Sequence, residues 1–368
     1  MSTGSISSVR VYMDANATTP LLPEVVDAMR PYWMEHFGNA SSIHIDGQRA
    51  RTAVDRARET LAEFFNCHDA EVVFNSGGTE GDNTALVGLL HPGDHLITTS
   101  IEHSAILQAA ARLGRQGIET TYIAPQPSGL IEPTDILRAI RPETRLISVM
   151  LANNETGVLQ PVEEIGRIAA ETGVFFHIDA VQGAGKIPFD VRRFGCHVLS
   201  ISAHKMHGPK GVGAMFVRRG TPIEPLLVGG SHERRRRAGT ENVAGIAGFA
   251  RAAELAMHSL ADGTIAKLAA RRDRLETELL RLPGTGLNGA GPDGKPVIRA
   301  ANTTNIWFDQ LEGEALVIAL DLKGVAVSGG SACHSGATEP SHVLMAMGLN
   351  KAKARASLRF SLLKTATD

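Results

Sequence analysis

Phe175-Phe-His-Ile-Asp179-Ala-Val-Gln182 and the later stretch Val198-Leu-Ser-Ile-Ser-Ala-His-Lys205-Met-His-Gly-Pro-Lys-Gly211 decide the fold. Each reads as a short apolar strand that ends abruptly in polar residues. In an open α/β sheet, ligands sit outside the carboxyl ends of such strands. One strand end offers an acid and an amide, Asp179 and Gln182. The next offers two groups suited to phosphate, Ser202 and His204, followed by Lys205. A lysine able to form a Schiff base, with an acid placed for a pyridinium nitrogen, is what pyridoxal phosphate requires of its protein. Taken alone, Lys205 reads equally well as a surface lysine in a solvated basic turn. The acid one strand earlier shifts the balance toward the cofactor.

Outward from these strands the pattern repeats. Glu71-Val-Val-Phe74 runs into Ser76-Gly-Gly-Thr-Glu80, His95-Leu-Ile-Thr-Thr99 ends near His103, and Leu146-Ile-Ser-Val-Met-Leu151 ends at Asn153-Asn154-Glu155. Helical stretches such as 162–172 separate them, and residues 47–66 carry the periodicity of an amphipathic helix. Strands alternating with helices predict a mostly parallel sheet. After about residue 250 the character changes. A long charged helix over 251–282 leads into the Gly/Pro-rich passage Pro283 to Pro296. Asn305-Ile-Trp-Phe308, a helix over Glu312–Leu322, Val325-Ala-Val-Ser328 and Ser357-Leu-Arg-Phe-Ser-Leu362 follow. The expectation is an α/β chain with a large domain over 15–255. A smaller α+β domain would cover 256–368 together with 1–14.

Composition excludes several classes. The 368 residues are 43% hydrophobic and 21% charged, with a net charge of −2, which provides no global field for nucleic acid. No apolar run approaches the ~20 residues needed to span a bilayer. Met1 to Arg10 is small and polar, which predicts no secretory signal. The three cysteines, Cys67, Cys196 and Cys333, are far apart and odd in number, so a disulfide framework is not expected. The reading is a reduced, cytoplasmic protein without direct nucleic acid or membrane binding, and no metal is expected.

Three further features carry chemistry. Ser76-Gly77-Gly78-Thr79 lies between a strand and a helix, where backbone amides and a hydroxyl can bind phosphate; an ordinary βα turn has the same appearance. His103 could stack on a flat ring and Asn154 could bond a ring hydroxyl, and both could equally be structural. Cys333, in Ser328-Gly-Gly-Ser-Ala-Cys-His-Ser-Gly336, is surrounded by Gly, Ser and His, the setting of an exposed thiol. A thiol of ordinary pKa, about 8.5, needs activation to be a good nucleophile near neutral pH. His334 is adjacent, but loop neighbours often point apart. Cys67 and Cys196 lie near apolar segments and read as structural.

Together these residues identify a resemblance. The chain resembles the pyridoxal-phosphate-dependent cysteine desulfurases of the NifS/IscS type, within the class V aminotransferases, from Tyr12-Met-Asp-Ala-Asn-Ala-Thr-Thr-Pro20 to about Leu362. The signposts are Phe37-Gly-Asn-Ala-Ser-Ser-Ile-His44, Ser76-Gly-Gly-Thr-Glu80, Glu102-His103, Asn153-Asn-Glu155 and His177-Ile-Asp-Ala-Val-Gln182. Ser202-Ala-His-Lys205, Arg237-Ala-Gly-Thr-Glu-Asn242 and Gly330-Ser-Ala-Cys333 complete the set. The resemblance implies the aspartate-aminotransferase-like fold and pyridoxal 5'-phosphate bound through Lys205. Asp179 would face the pyridine nitrogen, Gln182 the ring oxygen and His103 the ring face. Gly78, Thr79, Ser202 and His204 would hold the phosphate. Thr240 would reach the phosphate of a neighbouring subunit, which implies a homodimer. Asn154 and Arg359 would position the substrate, Arg359 by a bidentate grip on its α-carboxylate.

The implied reaction converts L-cysteine to L-alanine, with Lys205 removing the α-proton and His103 relaying protons. Sulfur would pass to Cys333 as a persulfide and on to an acceptor protein, for iron–sulfur assembly or other sulfur-containing products. A selenocysteine lyase, or another class V lyase or aminotransferase, would share Lys205 and Asp179 without depending on Cys333. A non-catalytic scaffold predicts decay of the catalytic set, whereas Lys205, Asp179, His103, Arg359 and Cys333 are all intact. The end of the chain, Ser361-Leu-Leu-Lys-Thr-Ala-Thr-Asp368, departs from the family pattern, which has Gly-Arg near Leu363-Lys364 and continues into a further helix. The run Arg234–Arg237 reads either as a solvated loop or as a contact for a second subunit or an acidic acceptor.

Overall fold

The computed structural model describes residues 10–292, 294, 297–329 and 340–368. In chain order the strands are β1 (Val11–Tyr12), β2 (Val72–Asn75), β3 (His95–Thr99), β4 (Glu119–Ile123), β5 (Thr144–Met150) and β6 (Phe175–Asp179). They continue with β7 (Val198–Ser202), β8 (Gly213–Val217), β9 (Thr285–Leu287), β10 (Thr303–Phe308), β11 (Val325–Ala326) and β12 (Ser357–Ser361). β2 to β8 form one sheet in the order β2-β8-β7-β6-β5-β3-β4. β8 is antiparallel to both its neighbours, and every other pairing in this sheet is parallel.

The sequence explains why this sheet is central. β7 and β8 are buried along their whole length and β6 nearly so, as expected where helices cover both faces of a parallel sheet. Full burial of side chains such as Phe176, Ile178 and Ile201 contributes roughly 1.5–3 kcal/mol each. The predicted helix over 47–66 is observed as Ile45–Phe65. The His44 side chain accepts from Gly47 N at its start, and Asn66 ends it in the left-handed conformation at φ 58. Its buried stripe, Ala50, Val54, Ala57, Leu61 and Phe65, packs on the helix Val243–Ala261.

That second helix corrects an expectation. The single long helix over 251–282 is two helices, Val243–Ala261 and Thr264–Leu280, separated at Asp262-Gly263. Gly263 adopts φ +83, which ends one helix, and the Asp262 carboxylate accepts from Thr264 N to start the next. Four strands were not anticipated, β4 and β8 in the central sheet and the short β1 and β9 outside it. β4 is a half-exposed edge strand, and β8 follows Gly211 directly without alternation.

A second layer carries β12-β10-β9, all antiparallel, and the parallel pair β1–β11. A bridge from Asp14 to Ser361 ties the chain's beginning to β12, and one from Ser328 to Arg359 ties the segment after β11 to it. This threading brings the motif Tyr12–Pro20 to the ends of the central strands.

Candidate active site

β3 leads outward to β4, and the chain then crosses back to β5 on the other side of β3. The switch point of the sheet therefore lies between β3 and β5, where ligands bind in such folds. His103 follows β3, Asn154 follows β5, Asp179 closes β6, and Lys205 follows β7 in a short turn. Four adjacent parallel strands thus deliver the predicted residues to one edge of the sheet.

The side of the site where phosphate is expected is built by close backbone approach. β2 ends at Asn75, and the twelve-residue helix Gly78–Leu89 begins beside the turn after β6. A Cβ on Gly78 would lie 2.5 Å from Val181 Cγ2, so only glycine lets the helix start there. Gly77 has φ +148, and a Cβ on it would sit 3.4 Å from Ser202 Oγ. Gly213 completes the cradle, because its Cβ would meet Gly77 Cα at 2.6 Å. Gly78 and Ser202 are buried, Thr79 is exposed, and His204 is half-buried with Nδ1 against Thr18 Oγ1 at 3.1 Å. Burial, with Lys205, Lys210 and Lys186 nearby, pushes the His204 imidazole down to about 4, so it is neutral near pH 7.

Lys205 is held on the opposite side. Its Nζ donates to the carbonyls of Asn16 at 2.6 Å and Ala17 at 2.8 Å. Asn16 Nδ2 donates to the carbonyl of Asn154 at 3.1 Å, and Arg359 Nη1 donates to that same carbonyl at 3.0 Å. A continuous hydrogen-bonded path therefore joins the predicted Schiff-base lysine to the predicted carboxylate receptor. Arg359 is only 2% exposed, its Nη2 pairs with Asp14 Oδ1 at 2.7 Å, and its Nε has no partner among the described residues. Arg359 therefore does not face solvent. β12 turns its Arg359 face toward the large sheet.

His103 caps the helix Ser104–Gly114, and its Nδ1 accepts from Ala105 N at 3.1 Å. That bond places the proton of the neutral ring on Nε2. Asp179 is buried, Oδ1 accepts from Val181 N at 3.0 Å, and burial raises its carboxyl while His103 and Lys205 oppose the shift. Behind it lies a polar layer. Ser148 Oγ and Ser200 Oγ bracket His177 at 2.9 and 3.1 Å, and burial pushes that imidazole down to about 3. Burial and the neighbouring Asp179 push Asp82 well above the carboxylate range.

Glu102 is also buried, accepts from Thr99 Oγ1 and Met150 N, and is pushed up to about 8 by burial. A carboxyl that binds its proton more tightly when folded costs no stability below its unfolded value near 4.5. It costs progressively more as pH rises toward 8. Glu102→Gln is therefore expected to gain in melting temperature relative to wild type between about pH 5 and about pH 8. Thermal melts at the two pH values test this, and a constant difference would show Glu102 ionised throughout.

The Arg234–Arg237 run is not simply solvated. Arg58 and Glu233 form a buried two-pronged ion pair at 2.7 and 2.8 Å, with Phe74 N also donating to Glu233. This anchors a segment whose Glu233, Arg234 and Arg235 have φ of 47, 56 and 67. Arg234 pairs with Asp69 at 2.9 Å, Arg236 donates to the Ala70 carbonyl at 2.7 Å, and Arg237 pairs with Glu80 at 2.9 Å. Thr240, just beyond, is exposed. Cys67 is half-buried and Cys196 buried, and burial pushes both thiols up to about 12, in keeping with structural roles. Cys333 and His334 lie outside the described residues. Sequence reasoning missed Asp14, Asn16 and Lys186. Asp14 and Asn16 lie in the quoted Tyr12–Pro20 motif, which was the available signal.

The family model for class V aminotransferases, "Aminotransferase class-V", matches residues 11–368. The chain is 47% identical over 364 residues to the "Cysteine desulfurase IscS" of Methanosarcina thermophila, covering 97% of this chain and 88% of that protein. Among solved structures it is similar to a "NIFS-LIKE PROTEIN" with TM-score 0.90 and 35% identity, covering 98% of this chain and 95% of that one. It is similar also to "SspA in complex with cysteine", with TM-score 0.83 and 34% identity, covering 96% and 98%. With the convergence of His103, Asp179, Lys205 and Arg359 at one sheet edge, these likenesses place the chain in the class V aminotransferase family, among the cysteine desulfurases of the NifS/IscS type.

Proposed function

We propose that this chain is a cysteine desulfurase that binds pyridoxal 5'-phosphate through Lys205 and converts L-cysteine to L-alanine. The observation that carries the reading is the path from Lys205 Nζ through Asn16 and the Asn154 carbonyl to the buried Arg359. It sets an amine and a carboxylate receptor at a fixed separation, as an α-amino acid requires. The cofactor reading is supported by the close backbone approach at Gly78 and Gly213 beside Ser202, and by a buried Asp179 that a pyridinium would pair with. Gly78, Thr79, Ser202 and His204 would hold the phosphate, Asp179 the ring nitrogen, Gln182 the ring oxygen and His103 the ring face. When bound, the cofactor supplies an electron sink for the electrons released at the substrate's α-carbon.

The chain's own residues do the rest. Arg359 grips the α-carboxylate and Asn154 fixes its orientation. Lys205 takes the α-proton, and the Asn16 and Ala17 carbonyls are placed to accept from its free amine. His103, with its proton on Nε2, exchanges that proton with the substrate thiol. Cys333 thiolate attacks the substrate sulfur, so the carbon–sulfur bond breaks and a sulfur–sulfur bond forms. The electron pair of the broken bond stays with the departing alanine and is protonated. No external oxidant is needed, and a persulfide remains on Cys333 for transfer to an acceptor protein.

We assign residues 15–255 to the cofactor-binding domain, and 256–368 with 1–14 to a small domain that carries Arg359 and Cys333. The working form is a homodimer in which Thr240 reaches the partner's phosphate. In support, Trp33, Met34, Phe37, Ile43 and Val228 are largely exposed apolar side chains. No helix among the described residues is long and apolar enough to cross a membrane, and the reading is of a cytoplasmic sulfur donor, for iron–sulfur cluster assembly or other sulfur products.

The test is alanine formation from L-cysteine by cofactor-loaded protein with a reductant, comparing wild type with Cys333→Ala. Alanine from wild type and almost none from the variant is expected. Equal activity in both would overturn the persulfide step and favour a lyase, and no alanine from either would overturn the activity.

A further inference from the structure

Lys186 follows Gln182 by one turn of chain and points into the protein. It is only 8% exposed, and burial, with Lys205 and Arg359 nearby, pushes its ammonium well below the usual lysine range. Among the described residues its hydrogen bonds go to amide oxygens and not to a carboxylate. Nζ donates to Gln182 Oε1 at 2.7 Å and to Asn16 Oδ1 at 3.0 Å. The charged groups around it are the cations Lys205 and Arg359 and, across the same cavity, Lys364, with the imidazoles of His204 and His207 within its influence. Burying an amine with neither a counter-ion nor solvent is costly, so a merely structural lysine would be poorly placed here.

The bonds it makes have a definite consequence. An amide side chain can present its oxygen or its nitrogen to a ligand, and a donor on one end fixes the choice. Lys186 occupies Gln182 Oε1, and Gln182 Nε2 donates to the Asn16 carbonyl at 2.9 Å. That same carbonyl accepts from Lys205 Nζ at 2.6 Å. The N–H end of Gln182 is thereby turned to the Lys205 side, and the two side chains share one acceptor. Asn16 is the junction of this arrangement. Its Oδ1 accepts from Lys186 and Asn302, and its Nδ2 donates to the Asn154 carbonyl and to Thr303 Oγ1. Lys186 and Lys205 also line one cavity of about 30 Å³.

We propose that Lys186 is a positioning residue that locks Gln182 with its N–H toward the cofactor's ring oxygen and, with Asn16, couples that amide to Lys205. This inference rests on the reading above that Gln182 faces the ring oxygen of bound pyridoxal phosphate. A donor on that oxygen favours the unprotonated state of the nitrogen contributed by Lys205. Removing it raises the pH at which that nitrogen loses its proton.

The test is a pH titration of the visible absorption band of wild-type holoprotein, Lys186→Met, Gln182→Leu and the double variant. Lys186→Met is expected to raise the apparent pKa of the band by about one unit, the scale of one lost hydrogen bond. On the Gln182→Leu background the same substitution should add little, since the lysine acts through the amide. An unchanged band pKa in folded Lys186→Met, or a full additional shift on the Gln182→Leu background, would overturn the proposal. Should Lys186→Met fail to fold, Lys186→Gln keeps a donor toward Gln182 Oε1 and is expected to stay within about half the shift of Gln182→Leu; a Lys186→Gln shift equal to that of Gln182→Leu would overturn it. A wild type that forms no visible band with the cofactor would instead refute the cofactor reading, and the two failures are distinct.

Discussion

Lys205→Ala is expected to lower alanine formation from L-cysteine by about a hundred- to ten-thousand-fold, the range that a positioned general base supplies. The substitution removes the amine that would both carry the cofactor and take the α-proton. Nothing else described at the switch point replaces it. Lys186 is the other nearby amine, but its Nζ is committed to Gln182 and Asn16. Stability should change little. Lys205 is half-buried, and the Asn16 carbonyl keeps Gln182 Nε2 as a donor after the lysine is gone. The check is alanine production beside a thermal melt of the same preparation. Retention of more than about a tenth of wild-type turnover would contradict the assignment of Lys205 as base.

Arg359→Lys is expected to lower kcat/KM for L-cysteine by about thirty-fold or more, the equivalent of about 2 kcal/mol for losing one arm of a buried charged contact. Lysine keeps the charge but not the fork. In the structure Arg359 uses Nη1 for the Asn154 carbonyl and Nη2 for Asp14, and among the described residues its Nε has no partner. An ammonium cannot hold those partners and a substrate carboxylate in one geometry. The loss should fall mainly on KM, and cofactor binding should persist, because Arg359 belongs to β12 and not to the phosphate cradle. Steady-state kinetics with L-cysteine and the absorption spectrum of the variant provide the check. An unchanged KM would show that the carboxylate is held elsewhere.

The central strands and the residues at their ends were legible because a buried parallel strand is an apolar run that stops where it meets ligand. His103, Asp179, Gln182, Ser202 and Lys205 each stand at such a stop. Arg359 was legible only through the family resemblance, since alternation along β12 could not say which face was covered. Asn16 and Lys186 were hidden for different reasons. Asn16 meets Lys205 through its carbonyl, a group every residue possesses, and only because β1 threads back past β12. Lys186 follows a glycine-rich turn, where a lysine ordinarily faces water, and its burial depends on packing from the helix Val243–Ala261 and the Leu362–Lys364 segment. The break at Asp262-Gly263 was visible as a pair of residues but outweighed by the charged helical pattern on both sides.

Sulfur transfer from L-cysteine to Cys333 is the step on which the proposed reaction turns. The most direct measurement is the mass of the holoprotein after a brief exposure to L-cysteine without reductant, with peptide mapping and quantitation of alanine. The account predicts one added sulfur on the peptide bearing Cys333 and an equivalent amount of alanine. Alanine without added sulfur on that peptide, or added sulfur on Cys67 or Cys196 instead, would contradict it.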